Sequence, residues 1–118
     1  MEKKLFDSEL KVMEILWRQG EVTAKKIAEE LDRQVGWSKT TTYTVIKKCI
    51  DKGAIERREP NFICHALVTK EEAQKYETNE LIEKMYDGHT DQLIAALIGD
   101  KRLDKADIMR LKGLIEDL

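Results

Sequence analysis

The stretch Gly36 to Arg58, G-W-S-K-T-T-T-Y-T-V-I-K-K-C-I-D-K-G-A-I-E-R-R, decides how this chain is read. Ser38 stands where a helix N-cap belongs, and Gly53 stands where the helix should stop. Between them Val45, Ile46, Cys49 and Ile50 share one helical face with Thr42, while Lys39, Thr40, Tyr43, Thr44, Lys47, Lys48 and Asp51 share the other. Thr40, Thr41, Thr42 and Thr44 are poor choices for helix stability alone, because β-branched side chains lose rotamer freedom against the preceding turn. Short hydroxyls and ammonium groups do suit a nucleic acid. They bond phosphate oxygens, and threonine methyls meet thymine methyls in a major groove. A solvated face without a partner is the competing reading of this helix taken alone.

Upstream, Thr23 is placed to cap a helix carrying Ala24, Ile27, Ala28 and Leu31, with Val22 and Ile27 as a hydrophobic staple and an end near Asp32. Before it, a helix is predicted from about Ser8 to Arg18, with Asp7 or Ser8 as N-cap. Leu10, Met13 and Trp17 line its stripe, Val12, Ile15 and Leu16 widen it, and Gly20 stops it. Three helices joined by short turns, the third basic, describe a helix-turn-helix. Downstream, Ala54–Arg58 and Phe62–Val68 read as two strands around the turn Glu59-Pro60-Asn61. That hairpin is a wing, and Arg57 and Arg58 are placed to reach flanking phosphates.

From Thr69 the chain changes character. Thr69 and Glu72 form a capping box, with Val68 and Ala73 as staple, for a helix running to about Tyr86 and stopped by Gly88; the apolar register slips near Thr78-Asn79. Thr90 is expected to cap a short helix bearing Leu93, Ile94, Leu97 and Ile98, closed by Gly99. Asp104 is expected to cap the last one, where Ile108, Leu111, Ile115 and Leu118 recur at helical spacing beside Leu114. Short amphipathic helices cannot easily bury their stripes alone, so residues 71–118 read as a dimerisation arm centred on Leu93, Leu97, Ile108, Leu111, Ile115 and Leu118. The competing arrangement folds these stripes back on the same chain. The fold class is mainly α with a small β-hairpin wing: a winged helix-turn-helix over residues 1–70, then a helical dimerisation domain over 71–118.

Composition agrees with this class. Of 118 residues, 42% are hydrophobic and 37% charged, and a single proline argues against an all-β fold. Net charge is −2, but it is unevenly spread: residues 1–70 hold 14 Lys+Arg against 11 Asp+Glu, and residues 71–118 hold 7 against 12. Residues 33–58 hold seven bases and two acids, a basic window suited to touching phosphate on one face only. Cys49 and Cys64 are too few for a disulfide framework or a metal clamp and read as buried, reduced thiols. The N-terminus M-E-K-K-L-F-D has no signal-peptide run and no stretch could span a membrane, so the expected location is the cytoplasm, without direct membrane binding. Asp87, His89 and Asp91 lie close in sequence but read as helix-capping chemistry, and His65 as a wing residue; neither makes a metal set. No nucleophile–base order, phosphate loop or carboxylate pair suggests an enzyme, and no cofactor is expected.

The order E-L-K-V-M-E-I-L-W (Glu9–Trp17), G-E-V-T-A-K-K-I-A-E-E-L (Gly20–Leu31), W-S-K-T-T-T-Y-T-V-I-K-K-C-I-D-K-G-A-I (Trp37–Ile55), a short wing, and Tyr86-Asp87-Gly88 before L-I-A-A-L resembles the penicillinase-repressor family, the BlaI/MecI/CopY type of winged-helix repressor. The resemblance covers essentially the whole chain. It implies a homodimer on a palindromic operator that blocks transcription. In the β-lactam branch it implies release by proteolysis of the C-terminal arm under a membrane sensor protease, and in the copper branch release by metal at a C-terminal cysteine cluster. Thr41 and Thr44 match the family's T-x-x-T, and Lys48 its basic residue four positions later. Tyr43 stands where the best-known β-lactam repressors have arginine. No cysteine follows Cys64, so the copper cluster is absent, and Ala96-Leu97 stand in the place of the Asn-Phe pair cut in the β-lactam branch.

The DNA-binding set is therefore Ser38, Lys39, Thr40, Thr41, Tyr43, Thr44, Lys47, Lys48, Arg57 and Arg58. The expected partners are double-stranded operator DNA, a second copy of the chain and a membrane sensor protease, with proteolytic release expected ahead of metal. The alternative function is a winged-helix protein-interaction module without sequence-specific DNA binding.

Overall fold

The computed structural model describes residues 4–118. Helix α1 spans Asp7–Gln19, and its N-cap is Phe6 rather than Asp7 or Ser8. The cause is Glu9, whose carboxylate turns back to accept the Phe6 N–H at 2.8 Å and so satisfies the helix start without a capping hydroxyl. Val12, Met13, Ile15 and Leu16 are buried, and Trp17 donates its indole N–H to the Val68 carbonyl at 2.8 Å. Gly20 ends the helix at φ 83°, backbone that a side chain disfavours.

Strand β1, Val22–Thr23, leads into helix α2, Ala24–Val35. Thr23 caps as expected, its Oγ1 accepting the Lys26 N–H at 3.1 Å. The helix continues one turn past Asp32, because Arg33 and Gln34 both bond back to the Glu30 carboxylate and Gly36 at φ 72° is the next residue suited to a left-handed stop. Helix α3 spans Lys39–Asp51. Strands β2 (Ile55–Arg58) and β3 (Ile63–Ala66) form the hairpin, pairing Ile55 with Ala66 and Arg58 with Ile63. The sheet has a third strand that the sequence reading lacked. β1 pairs with the other side of β3, Val22 opposite Cys64, giving the order β1-β3-β2. Two residues are too few to show alternation, and Thr23 already carries a cap signal.

The core gathers α1, α2, α3 and the sheet around Met13, Ile27, Leu31, Ile46, Ile55 and Cys64. Within it sits one charged pair. Glu9, 2% exposed, accepts a hydrogen bond from Lys52 Nζ at 2.6 Å; the same ammonium donates to the Lys4 carbonyl at 2.7 Å and lies 4.4 Å from the Phe6 ring centre. This clasp ties the start of α1 to the end of α3. Because Lys52 is spent there, it is absent from the outer face of the basic helix.

Helix α4 spans Lys70–Met85. Its capping box is formed: Thr69 Oγ1 accepts the Glu72 N–H at 3.0 Å and Glu72 accepts the Thr69 N–H at 3.3 Å. The helix passes unbroken through Thr78-Asn79, where the register slips, and the division into two compact units falls at that point, one ending at Glu77 and the other running from Thr78 to Leu118. Ala73 thus belongs to the winged-helix core.

The second unit holds the rest of α4, helix α5 (Thr90–Gly99) and helix α6 (Lys105–Glu116). Thr90 is not the cap of α5 but its first helical residue. Asp87 and Gly88 turn through positive φ, the His89 N–H bonds the Tyr86 carbonyl at 2.7 Å, and His89 takes the N-cap position without a side-chain bond. Asp100, not Gly99, terminates α5. Asp104 caps α6 as expected, accepting the Asp107 N–H at 2.8 Å. Neither α5 nor α6 contains a buried residue, and Ile94, Leu97, Ile98, Leu111, Leu114, Ile115 and Leu118 are exposed. Among the described residues no helix is long and apolar enough to cross a membrane.

Candidate nucleic-acid interface

At about 100° per residue, Thr42, Val45, Ile46 and Cys49 occupy one arc of α3, and all four are buried. Thr42 faces the core despite its hydroxyl, whose oxygen has no hydrogen-bond partner among the described residues. The opposite arc carries Thr40, Thr44, Lys47 and Asp51, with Thr41 and Lys48 on one margin and Lys39 and Tyr43 on the other, and all but Tyr43 are exposed. Lys39, Thr40, Tyr43, Thr44 and Lys47 line one shallow open groove.

The hydroxyls on this face are not equivalent. Ser38 Oγ accepts the Thr41 N–H at 3.1 Å and lies 3.0 Å from Thr41 Oγ1, so its role is to cap the helix. Thr44 Oγ1 donates to the Thr40 carbonyl at 2.9 Å, which spends its proton. Thr44 can then offer only lone pairs and a methyl group, which match an amino group or a thymine methyl better than a phosphate. The Thr40 hydroxyl makes no bond within the described residues, so it keeps a proton for a phosphate oxygen.

Tyr43 is half-buried rather than exposed, and the reason lies in the wing. Its ring meets the ring of Phe62 edge-on, with centres 5.7 Å apart and planes at 78°. The Lys39 ammonium lies 5.6 Å from the centre of the Tyr43 ring, and the Arg57 guanidinium 3.7 Å from that of Phe62. Lys39, Tyr43, Phe62 and Arg57 thus form one row from α3 to the wing. Sequence reasoning missed Phe62 because it was counted as an ordinary strand residue. Its signal was the turn Pro60-Asn61 immediately before it.

The wing arginines are both occupied. Arg57 Nε bonds Glu59 at 2.6 Å; Arg58 bonds Glu56 at 2.9 Å and Glu21 at 2.6 Å, and His65 Nδ1 also lies 2.6 Å from Glu21. The Arg57 hydrogen bond, seconded by the Phe62 N–H, holds the Glu59 carboxyl below its ordinary range, and the Arg58 hydrogen bond does the same for Glu56. By contrast Lys39, Lys47 and Lys48 have no carboxylate within ion-pair distance among the described residues. The cations of α3 are available to a polyanion, while those of the wing must first exchange a carboxylate for it.

A profile of the penicillinase repressor family matches residues 5–117. The chain belongs to the penicillinase repressor family. The methicillin resistance regulatory protein MecI of Staphylococcus aureus is 30% identical over 120 residues, covering 98% of each chain. The solution structure of the DNA-binding domain of the repressor BlaI aligns with a TM-score of 0.55 at 25% identity, covering 61% of this chain and 93% of that one. A second solution structure, Bacillus licheniformis BlaI in monomeric form in complex with the blaP half-operator, has a TM-score of 0.53 at 23% identity over 61% of this chain and 90% of that one. The fold is therefore that of a winged-helix repressor, and membership of this family places the chain among regulators rather than enzymes.

The remaining predicted residues lie elsewhere in this family member. Leu93 and Ile108 are half-buried and Leu97, Leu111, Ile115 and Leu118 exposed, all in the second unit. Ala96 and Leu97 sit mid-helix in α5. Cys49 and Cys64 are free and buried, and burial pushes their thiols up to about 12 and about 11. Neither is a ligand or nucleophile in that state.

Proposed function

We propose that this chain represses transcription as a homodimer on a palindromic operator, each protomer laying the N-terminal half of α3 in a major groove. The observation that carries the reading is the division of α3 into a buried apolar arc and an exposed arc of uncompensated lysines and threonines, in a member of a repressor family. Lys39, Thr40, Lys47 and Lys48 hold the sugar-phosphate backbone. Thr41, Tyr43 and Thr44 face base edges, Ser38 fixes the helix start, and Arg57 and Arg58 reach flanking phosphates after leaving their carboxylates.

The apolar stripes of α5 and α6, exposed at Leu97, Leu111, Ile115 and Leu118 and half-buried at Leu93 and Ile108, support pairing through these six residues. A dimer turns two weak half-site contacts into tight binding to one palindrome. Release acts on the C-terminal unit, by proteolysis near Ala96-Leu97 rather than by metal, with a membrane sensor protease as the further partner. Those residues are helical, so cleavage there requires α5 to open locally. The working place of such a repressor is the cytoplasm.

The test is fluorescence anisotropy on duplexes that the full chain selects from a randomised pool. Thr44→Ala should lose discrimination at one base pair per half-site by about five- to thirtyfold, in the range of one to two kcal/mol for a base contact. Equal loss on every duplex overturns the base-contact role. A wild-type chain that enriches no sequence favours the protein-interaction reading.

A further inference from the structure

Beyond the core that α3 shares with the wing strands, the wing reaches the outer margin of α3 in an edge-on aromatic contact, Phe62 on Tyr43. Phe62 is held unusually firmly for a residue beside a turn. Its carbonyl accepts the N–H of Ala24, the first residue of α2, at 2.9 Å, its N–H bonds Glu59 at 3.2 Å, and the Arg57 guanidinium covers its ring. Its backbone sits at φ 54° after Asn61 at φ 69°, a left-handed conformation that a bulky side chain adopts only where its surroundings impose it. The strain is kept where the ring can reach Tyr43.

Tyr43 needs such a neighbour. It lies at the margin of the exposed arc, between the Lys39 ammonium and the edge of Phe62. A tyrosine there without Phe62 would sample several rotamers, and a base contact made from several rotamers discriminates poorly.

We propose that Phe62 is a specificity-determining positioning residue: it fixes the Tyr43 ring over the α3 groove, so that wing and recognition helix select one base pair together. The proposal rests on the reading of α3 as the DNA-contacting helix. Phe62 itself touches no base. It acts through Tyr43, and Arg57 seats it from the other side.

The test uses the full chain and the duplexes enriched by the wild type, with every half-site base pair varied in turn. Tyr43→Ala, Phe62→Ala, Phe62→Leu and the double variant Tyr43→Ala/Phe62→Ala are compared. Phe62→Leu keeps apolar bulk at the wing and removes the ring edge, which guards against a variant that fails to fold. An edge-on aromatic pair corresponds to about a three- to tenfold effect. Both Phe62 variants should lose about that much discrimination at the same base pair as Tyr43→Ala, and the double variant should lose no more than Tyr43→Ala alone. Phe62→Tyr, which keeps the ring edge, should restore it. In the free protein, the ring-proton shifts of Tyr43 should move in Phe62→Leu and return in Phe62→Tyr.

A purely structural role predicts something different: weaker binding to all duplexes with base preference unchanged, or losses that multiply in the double variant. Either result overturns the proposal. So does an unchanged Tyr43 spectrum in Phe62→Leu. A wild-type chain that enriches no duplex overturns the DNA reading itself, and this proposal with it, whereas enrichment without coupling removes only the role of Phe62.

Discussion

Lys48→Ala separates backbone attraction from base recognition. Lys39, Lys47 and Lys48 are exposed on α3 and have no carboxylate within ion-pair distance among the described residues, whereas Arg57 and Arg58 hold Glu59, Glu56 and Glu21. A dimer therefore brings about six uncompensated ammonium groups to DNA, and counterion release gives a slope of log K against log salt of about −5. Raising salt from 50 to 200 mM should then weaken binding about a thousandfold. Lys48→Ala removes two of the six contacts, so the slope should shrink to about −4 and the loss over the same range to about 250-fold. Fluorescence anisotropy over four salt concentrations, on the preferred duplex and on a shuffled one, measures both slopes. The variant should weaken both duplexes by the same factor, since a phosphate contact carries no sequence information. A slope unchanged from wild type, or a loss confined to the preferred duplex, refutes the assignment of Lys48 to the backbone and the charge count with it.

Three further outcomes follow from the packing. Glu9→Ala leaves the Lys52 ammonium with only the Lys4 carbonyl and the Phe6 ring, and should destabilise the winged helix by about 3 kcal/mol, read as a lower urea midpoint; an unchanged midpoint would show that the clasp contributes nothing. The thiols of Cys49 and Cys64 are pushed up from 9.0 to about 12 and about 11, so their burial contributes stability that is complete below pH 9 and lost as pH rises toward 11 to 12. Urea midpoints should accordingly fall above pH 9 in the wild type and fall less in Cys49→Ala. Ending the chain before Leu103 removes α6 and should give a monomer by analytical ultracentrifugation with much poorer palindrome binding; a truncated chain that still sediments as a dimer would place the interface outside α6.

Most helix starts were legible because a cap is a local device. Thr23, Ser38, Thr69 with Glu72, and Asp104 each bond an N–H three residues ahead, a distance the sequence displays directly. Where a start was misplaced, a nearby capping side chain went unused: Ser8 and Thr90 both lie inside their helices, because Glu9 reaches back to cap α1 at Phe6 and a left-handed turn through Asp87 and Gly88 puts His89 at the N-cap of α5. The third strand escaped because β1 is two residues long and exists only through its pairing with Ile63 and Cys64, some forty residues away.

The same division holds for the interface. The sequence by itself determined that α3 has one apolar and one Thr/Lys arc, since a period of 3.6 residues assigns faces without reference to any other element. It likewise determined that Thr42 turns inward. Only the tertiary structure decided which of those outer groups remain available. It seated Lys52 on Glu9, gave Arg57 and Arg58 to neighbouring carboxylates, and set Tyr43 against Phe62. These are contacts between elements distant in the chain or packed into a turn, and no periodicity encodes them. They arise when the sheet, α1 and α3 close on one core, and there the composition of the basic face becomes an arrangement of particular donors.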